Sequence, residues 1–315
     1  MIQVIDHFLQ ENGYLKLDLP VLSPSLIPEN YLEVFKTEFQ YHHTKEPLFL
    51  TPSPELFIKR LLFEGIGDCY SMGKSFRNSE PNSPKHQTEF TMLEWYKVGK
   101  DYKFMAQEAL RLLSAISNEL VGKNSISYFG KNVSFDTWEE MTVAESFETY
   151  ANISSEELFE PKKFCAKAKE KGYVTDGFSY GDVWSQVYAQ EIEHNLGTSG
   201  HPTILYDYPV QFAALSKPNP DGKTAQRFEF YIEGMELGNC FSELTDASLQ
   251  KKRFAAEDEE RRISGKIEHP VDWGFIEILE KGFPESTGIA IGVERLGMIF
   301  TNSKHIEDLK LLSIG

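Results

Sequence analysis

The chain has 315 residues and a formal net charge of -16, from 32 basic and 48 acidic side chains. This length can bury a substantial core in one large domain or two modest ones, and the acidic balance argues against a broad nucleic-acid-binding surface. The cysteines Cys69, Cys165 and Cys240 lie far apart, which indicates reduced thiols in a cytoplasmic protein rather than disulfides or a zinc site. The acidic N-terminus predicts no signal peptide, and no apolar run approaches the roughly 18 residues of a membrane helix.

The predicted elements follow no regular βαβ order. In chain order we expect a helix over 2–12, a strand over 14–22, two strands within 31–50, a helix over 54–65, strands near 67–75 and 88–98, a helix over 103–121, a hairpin near 126–134, helices near 155–171 and 180–195, strands at 203–206 and 225–240, helices at 248–264 and 272–282, and a strand–helix unit at 287–300. Most strands follow one another as hairpins, which favours an α+β fold with an antiparallel sheet flanked by helices. We expect a single domain over residues 1–315, with a more polar helical insertion near 122–200.

The segment HQTEFTMLEWY, residues 86–96, carries the most information. Read as a strand, it places Phe90, Met92, Glu94 and Tyr96 on one face. An unpaired carboxylate among apolar neighbours would be costly, so Glu94 is expected to meet a cation. Upstream, Arg77 offers a planar charged fork suited to phosphate. The pattern predicts a site for a phosphate, a flat heterocycle and an amine; the alternatives are a core strand with one partnered acid and a solvated turn.

A second set of acids lies in RFEFYIEGMELGNCFSEL, residues 227–244. Glu229, Glu236 and Glu243 recur every seven residues, a spacing that alternates faces in a strand unless a bulge intervenes near Gly234 or Gly238. With a bulge, the acids would converge on a metal ion or an amine, and Mg²⁺ takes such ligands. The alternative is a set of acids on a solvent face.

The segment GIAIGVERLGMIF, residues 288–300, reads as a strand of small residues that enters a helix through Gly292. Small side chains let a ligand approach the backbone closely. Arg295 near the helix start would face this ligand. The alternative is a helix with one exposed arginine. Earlier in the chain, Ser53 is expected to cap a helix that has Pro54 at its first position.

Taken in order, these segments resemble the catalytic core of class II aminoacyl-tRNA synthetases. YLKLDLPVLSP resembles motif 1, SFRN…H…EFTMLEWY motif 2 and GIAIGVERLGMIF motif 3, while ELGNCFSELTDA is similar to the lysine-binding segment of lysyl-tRNA synthetases. SPELFIKRLL and FSELTDA are similar to the lysyl-tRNA synthetase paralogues that modify elongation factor P. The chain starts at the helix before motif 1, which leaves no room for an anticodon-binding domain, and Ala290 stands where lysyl-tRNA synthetases have glycine. Both features favour a paralogue that binds no tRNA.

The resemblance implies ATP-dependent activation of (R)-β-lysine or lysine as the aminoacyl-adenylate, followed by transfer to a lysine side chain of elongation factor P. It implies ATP and Mg²⁺ as cofactors, and a homodimer with motif 1 around Pro20 at its interface. The alternatives are a free-standing lysyl-tRNA synthetase-like or other amide-forming ligase, and a non-catalytic regulatory paralogue. Such regulators tend to lose the motif arginines, whereas Arg77 and Arg295 are both present.

The resemblance also implies a role for each motif residue. Arg77 and Arg295 would be catalytic. The ATP site would comprise Arg77, Asn78, Ser79, His86, Gln87, Phe90, Glu236, Leu237, Gly292 and Arg295. The amino-acid site would comprise Ser53, Pro54, Glu55, Glu94, Tyr96, Asn239, Glu243 and Ala290. Mg²⁺ would bind Glu229 and Glu236. The motif 2 loop departs from the family pattern: it is one residue longer, with Ser79 where an acid is usual, Glu80 displaced by one and Gln87 in place of asparagine.

Overall fold

The computed structural model describes residues 1–79 and 83–310, which form two compact units. Unit 1 combines Met1–Lys100 with the described residues from Glu243 onward, and unit 2 is Asp101–Ser242. The polar segment 122–200 lies within unit 2. The single domain over 1–315 stays a prediction.

The elements follow in chain order as α1 (Ile2–Glu11), β1 (Leu15–Leu17), β2 (Leu22–Ser23), β3 (Phe35–Tyr41), β4 (Thr44–Leu50), α2 (Glu55–Phe63), β5 (Cys69–Phe76), β6 (Glu89–Val98), α3 (Tyr102–Val121), β7 (Ser125–Tyr128), β8 (Lys131–Ser134), β9 (Glu139–Thr142), α4 (Val143–Ala151), α5 (Ser155–Leu158), α6 (Pro161–Glu170), α7 (Tyr180–Val187), β10 (Thr203–Pro209), β11 (Thr224–Ile232), β12 (Met235–Ser242), α8 (Ala247–Ile263), α9 (Trp273–Gly282), β13 (Ser286–Gly292) and α10 (Val293–Thr301). A π-helix, Tyr188–Ile192, continues α7. None of the described helices has the length and hydropathy needed to span a bilayer.

Unit 1 is built around the strands β5, β6 and β13. β6 pairs antiparallel with β5 on one side and with β13 on the other, and β1 joins β5 in parallel. Leu93 and Trp95 point to one face and Glu94 and Tyr96 to the other, and all four side chains are buried. Both faces of this strand are therefore covered, which explains its nearly continuous apolar sequence. A smaller antiparallel sheet, β2–β4–β3, lies in the same unit.

A buried arginine fixes the loop between β2 and β3. Arg261 of α8 is 4% exposed and donates hydrogen bonds to the carbonyl oxygens of Glu29 (2.7 Å) and Leu32 (2.6 Å). It also pairs with the carboxylate of Glu33, whose backbone oxygen accepts from the N–H of Asn78. The loop is thus connected to the residue that follows Arg77.

Unit 2 carries six paired strands, four in one sheet and two in a hairpin. β9 pairs in parallel with β10, and β10, β11 and β12 pair antiparallel, while β7 and β8 form a separate hairpin. Buried aromatic side chains fill the space between this sheet and helices α4, α6 and α7. At the N-terminus of α4, Thr142 and Glu145 form a capping box.

The structure confirms the α+β fold and most predicted elements, with the correction that the sheet is mixed. The β1–β5 and β9–β10 pairs are parallel, because helices separate their strands along the chain. The predicted strand 14–22 is wrong in its middle, since Pro20 divides it into β1 and β2. The predicted helix 155–171 is divided into α5 and α6, with Pro161 starting the second. The prediction also missed β9 and α4.

Residues 225–240 do not form one strand. The chain reverses at Glu233 and Gly234, whose φ angles are 49° and 66°, and this tight turn joins β11 to β12 as a hairpin. The expected bulge is present beside Gly238, because the register shifts between the Phe230–Gly238 and Tyr231–Glu236 pairs.

We expect Arg261→Met to lower the free energy of unfolding by about 3 kcal/mol or more, because it removes the donor to buried carbonyl groups and the cation beside the Glu33 carboxylate. Arg262→Met is the matched control, since the side chain of Arg262 is 55% exposed and should cost less than about 0.5 kcal/mol. Urea unfolding of both variants measures the difference. Equal losses would show that the buried arginine does not hold the loop.

Candidate active site

One face of β6 carries several of the predicted site residues of unit 1. Tyr96 lies opposite Gly288 of β13, Glu94 lies opposite Ala290, and Met92 lies opposite Gly292. Three small residues thus face three large ones across the strand pair. A Cβ atom at Gly288 would lie 2.3 Å from a ring carbon of Tyr96, so this glycine makes room for the tyrosine ring.

Carboxylates and one lysine are buried together at the Tyr96 end of this face. The Nζ atom of Lys59 lies 2.6 Å from Oε1 of Glu55 and 2.6 Å from Oε2 of Glu243, and the side chains of Lys59 and Glu243 are each 1% exposed. Tyr96 donates a hydrogen bond to Glu94 (3.2 Å), and the Ser53 hydroxyl bonds to the same carboxylate. The structure therefore brings together Ser53, Glu55, Glu94, Tyr96 and Glu243, with Pro54 buried at the start of α2.

The electrostatics of this cluster follow from burial. Burial raises the pKa of Glu94 to about 8, with repulsion from Glu55 adding to the shift. Burial likewise raises the pKa of Glu243 to about 8, although Lys59 acts in the opposite direction. Burial alone would lower the pKa of Lys59, but the two carboxylates beside it outweigh that effect and raise it. The cluster is thus short of positive charge.

Among the buried atoms of unit 1 that have no hydrogen-bond partner in the described residues are Oε1 of Glu243 and Nε of Arg77. Burying such a polar group is costly unless a ligand forms the missing hydrogen bond. The first is a charged acceptor and the second a charged donor, which suits a ligand that has an ammonium group and an anionic group.

Arg77 lies at the other end of the same face. Its guanidinium carbon is 5.3 Å from the centre of the Phe90 ring, a cation–π contact. Burial raises the pKa of Glu29 to about 7, an effect that Glu55 increases and Arg77 reduces. The pKa of Glu29 thus depends on charged groups at both ends of the face.

Arg295 and His86 meet, as the sequence predicted. The Nη2 atom of Arg295 is 2.8 Å from Nε2 of His86, and its Nε donates to the carbonyl oxygen of Lys85 (3.1 Å). A guanidinium group can only donate, so Nε2 of His86 accepts, and the proton on Nδ1 points to the hydroxyl of Ser83 (2.6 Å). Glu294 fixes the start of α10, because its two oxygens accept from the N–H of Thr91 (2.9 and 2.8 Å).

The start of the motif 2 loop forms a turn. Ser79 has a φ of 56°, and its N–H donates to the side chain of Asn78. The amide of Asn78 donates in turn to the carbonyl oxygen of Val34. Gln87 keeps a buried Oε1 without a partner among the described residues. Glu80 lies outside those residues.

The remaining predicted site residues belong to unit 2. Glu229 of β11 lies opposite Asn239 of β12, and the turn at Glu233 and Gly234 puts Glu236 opposite Tyr231. Because Tyr231 and Glu229 are two residues apart on β11, Glu236 and Glu229 share a face. The hairpin turn brings them together and not the predicted bulge, which lies beyond Glu236 at Leu237. Arg227 joins this row by donating to Oδ1 of Asn239 (3.0 Å).

The carboxylate of Glu229 is fully engaged. Its Oε1 accepts from Arg227 (2.8 Å), and its Oε2 accepts from the hydroxyl groups of Tyr208 (2.6 Å) and Tyr231. These donors do not suit a direct metal ligand, because a cation would have to displace Arg227. No group of three or more His, Cys, Asp or Glu side chains arranged to hold a metal ion occurs in residues 1–79 and 83–310. The predicted Glu229–Glu236 pair thus does not fit Mg²⁺ as arranged.

Sequence reasoning missed two residues that shape the site, Lys59 and Gly288. A signal for Lys59 was present, since it lies three residues from both Leu56 and Leu62 on the buried side of α2 and four residues from Glu55. A lysine in an apolar stripe indicates a buried ion pair. For Gly288 the signal required the register of β13 against β6, which one sequence does not fix.

A family comparison decides the identity of the fold. Residues 1–313 match the family model for class II tRNA synthetases (D, K and N). The chain belongs to this class II synthetase family. The fold that the motifs predicted is thereby confirmed.

Relatives of two kinds match this class II chain. The elongation factor P--(R)-beta-lysine ligases of Vibrio cholerae and Vibrio atlanticus are 33% and 34% identical over 98% of the chain and 91% and 92% of their own lengths. The lysine--tRNA ligase of Carboxydothermus hydrogenoformans is 33% identical over 100% of the chain. The chain spans only 64% of that relative's length. The resemblance to the paralogues is confirmed, and both kinds of relative are named as ligases.

We expect Gly288→Ala to destabilise the protein by about 1–3 kcal/mol, because the new methyl group must displace the ring of Tyr96. Gly73→Ala is the control, since its Cβ would contact only Ser71 Oγ, at 3.9 Å. In a Tyr96→Leu background the Gly288→Ala cost should shrink by about 1 kcal/mol or more. Urea unfolding of the four proteins gives this coupling, and strictly additive losses would contradict the contact.

Proposed function

We propose that the chain activates lysine or (R)-β-lysine with ATP and transfers the resulting acyl group to a lysine side chain of elongation factor P. Both steps use one site in unit 1. The ligand would place its ammonium groups at Glu94, Tyr96 and Glu243, its carboxylate near Arg77, and the adenine ring of ATP near Phe90.

The observation that carries this proposal is the layout of one sheet face. Phe90 with its stacked Arg77 lies four residues from Glu94 along β6, a separation of roughly 13 Å in an extended strand. That span suits an amino acid with a long side chain, joined through its carboxylate to a nucleotide. The unpaired Oε1 of Glu243 and Nε of Arg77 supply the acceptor and the donor that such a ligand requires.

In the first step, an oxygen of the substrate carboxylate attacks the α-phosphorus of ATP, and the bond to the pyrophosphate oxygen breaks. Arg77 would stabilise the charge that develops on the α-phosphate, and Arg295 would bind the outer phosphates together with His86. Catalysis would come from positioning and charge stabilisation, since no covalent enzyme intermediate is needed.

In the second step, the amine of the acceptor lysine attacks the acyl carbon. The bond from that carbon to the AMP oxygen breaks, and the amine proton passes to solvent. Elongation factor P as acceptor is supported by the two relatives named as its ligases, which the chain matches over nine tenths of their length. A transfer to tRNA is the second candidate, because the lysine--tRNA ligase relative is equally similar.

Ala290 supports a preference between the two isomers. Its methyl group lies on the strand pair opposite Glu94, within the face that would hold the amino groups. A single methyl group changes binding by about 1–3 kcal/mol. The alanine would therefore tune the choice between lysine and (R)-β-lysine.

Three further points belong to the proposal. Mg²⁺ would accompany ATP, and no step is assigned to Glu229. A homodimer through the region of motif 1 is supported by the exposed Leu15 and Leu22 of that segment, at 52% and 42%. A cytoplasmic location is supported by the three free cysteines.

The test is pyrophosphate exchange with each isomer, followed by mass spectrometry of elongation factor P incubated with the protein and ATP. We expect exchange with lysine or (R)-β-lysine and a mass gain of one lysyl residue on elongation factor P. Charging of tRNA in place of that gain would favour the second candidate. ATP binding without exchange for any amino acid would support a regulatory protein and overturn the proposal.

We expect Arg77→Ala to reduce pyrophosphate exchange by about 100-fold or more, which is typical for loss of a transition-state donor. Circular dichroism should show that the variant is folded. Arg262→Ala, at an exposed arginine of the same unit, should keep full exchange. Unchanged exchange in Arg77→Ala would refute the assigned role.

A further inference from the structure

The acid cluster of unit 1 already contains a cation of its own. Lys59 reaches it from α2 and touches two of the carboxylates at 2.6 Å each, one from its own helix and one from the segment after β12. Its Nζ also lies 5.5 Å from the centre of the Phe275 ring of α9. The lysine is thus enclosed by two acids and an aromatic ring, all of which favour its charged form.

The two carboxylate oxygens of Glu243 have different surroundings. Oε2 faces Lys59, while Oε1 is buried and has no hydrogen-bond partner among the described residues. A carboxylate with one oxygen held by an internal cation has a fixed orientation, and its other oxygen is left to accept from a ligand.

We propose that Lys59 is a positioning residue for the amino-acid site: it holds Glu55 and Glu243 as oriented carboxylates, so that Oε1 of Glu243 is presented to the substrate ammonium group. This inference rests on the proposed function. Lys59 touches no reacting atom and acts through the two acids.

The charges around the cluster make this role measurable. The groups that act on Glu243 and Glu94 are Lys59 and Glu55 from α2, the hydroxyl of Ser53, and Tyr96 from β6. Lys59 is the one cation among these groups. Without it both carboxylates would hold their protons to higher pH, because a neighbouring positive charge typically lowers a carboxyl pKa by about 1–3 units. A protonated carboxyl binds an ammonium group poorly.

The experiment compares kcat/KM for lysine in pyrophosphate exchange between the wild-type protein and Lys59→Gln, which removes the charge and keeps N–H donors on a side chain one atom shorter. The ratio of the two proteins cancels the titration of lysine itself. Because loss of the Lys59 charge raises the pKa of Glu243 further, the loss should be larger at pH 7 than at pH 9, by up to about tenfold for a rise of one pH unit. A loss of equal size at both pH values would indicate a merely structural role and overturn the inference.

Two further variants sharpen the comparison. Lys59→Arg keeps the positive charge, so any loss of kcat/KM for lysine should be independent of pH. A pH-dependent loss of kcat/KM like that of Lys59→Gln would contradict the role of the charge. Lys97→Met is the matched control, because it breaks another ion pair of unit 1, with Asp68 at 2.7 Å, outside the cluster. The ratio of its kcat/KM to that of the wild-type protein should not change with pH.

A paired variant covers the case in which Lys59→Gln does not fold. Lys59→Gln/Glu243→Gln removes both members of the ion pair, which is less disruptive than removing one. If Lys59 acts through Glu243, adding its substitution to Glu243→Gln should change the KM for lysine less than about twofold, and a tenfold change would refute the inference. Absence of exchange in the wild-type protein would instead reject the proposed function.

Discussion

The buried contact of Lys59 with Glu55 and Glu243 is the interaction on which the site depends. Buried carboxylates are tolerated only when charge or hydrogen bonds compensate them, and one lysine compensates two acids here while Glu94 relies on the hydroxyl groups of Ser53 and Tyr96. The deficit of positive charge is a property of the folded protein before any ligand arrives. It supports the proposed cationic substrate over a neutral or acidic one.

The strand pairing determines where the side chains of the site lie. Because β13 offers Gly288 and Ala290 opposite Tyr96 and Glu94, the large polar side chains have space beside the strand pair without displacing the backbone. The same alternation carries Phe90 and its stacked Arg77 to the far end of the face. One strand thus sets both the chemistry of each end and the distance between them.

Much of this was predictable from the sequence. Period-two alternation correctly placed Phe90, Met92, Glu94 and Tyr96 together. Glu229 and Glu236 were correctly expected to share a face, but the hairpin turn between them achieves this and not a bulge, because residues 225–240 form two strands. The partner of Glu94 was not predictable, because the expected cation turned out to serve Glu243 and Glu55 through a helix distant in sequence. The engagement of Glu229 by Arg227 and two tyrosines also escaped prediction, since pairing across strands decides it. Prolines at 20 and 161 divided elements that hydropathy alone would have continued.

The contact between Arg295 and His86 has a consequence for nucleotide capture. A neutral imidazole nitrogen is a weaker acceptor than a phosphate oxygen, yet it already removes a guanidinium donor from water and sets its direction. An arriving triphosphate would exchange places with the imidazole rather than strip a hydrated arginine. In the proposed function, part of the desolvation cost of binding the triphosphate would therefore be met during folding, because the guanidinium group is already oriented.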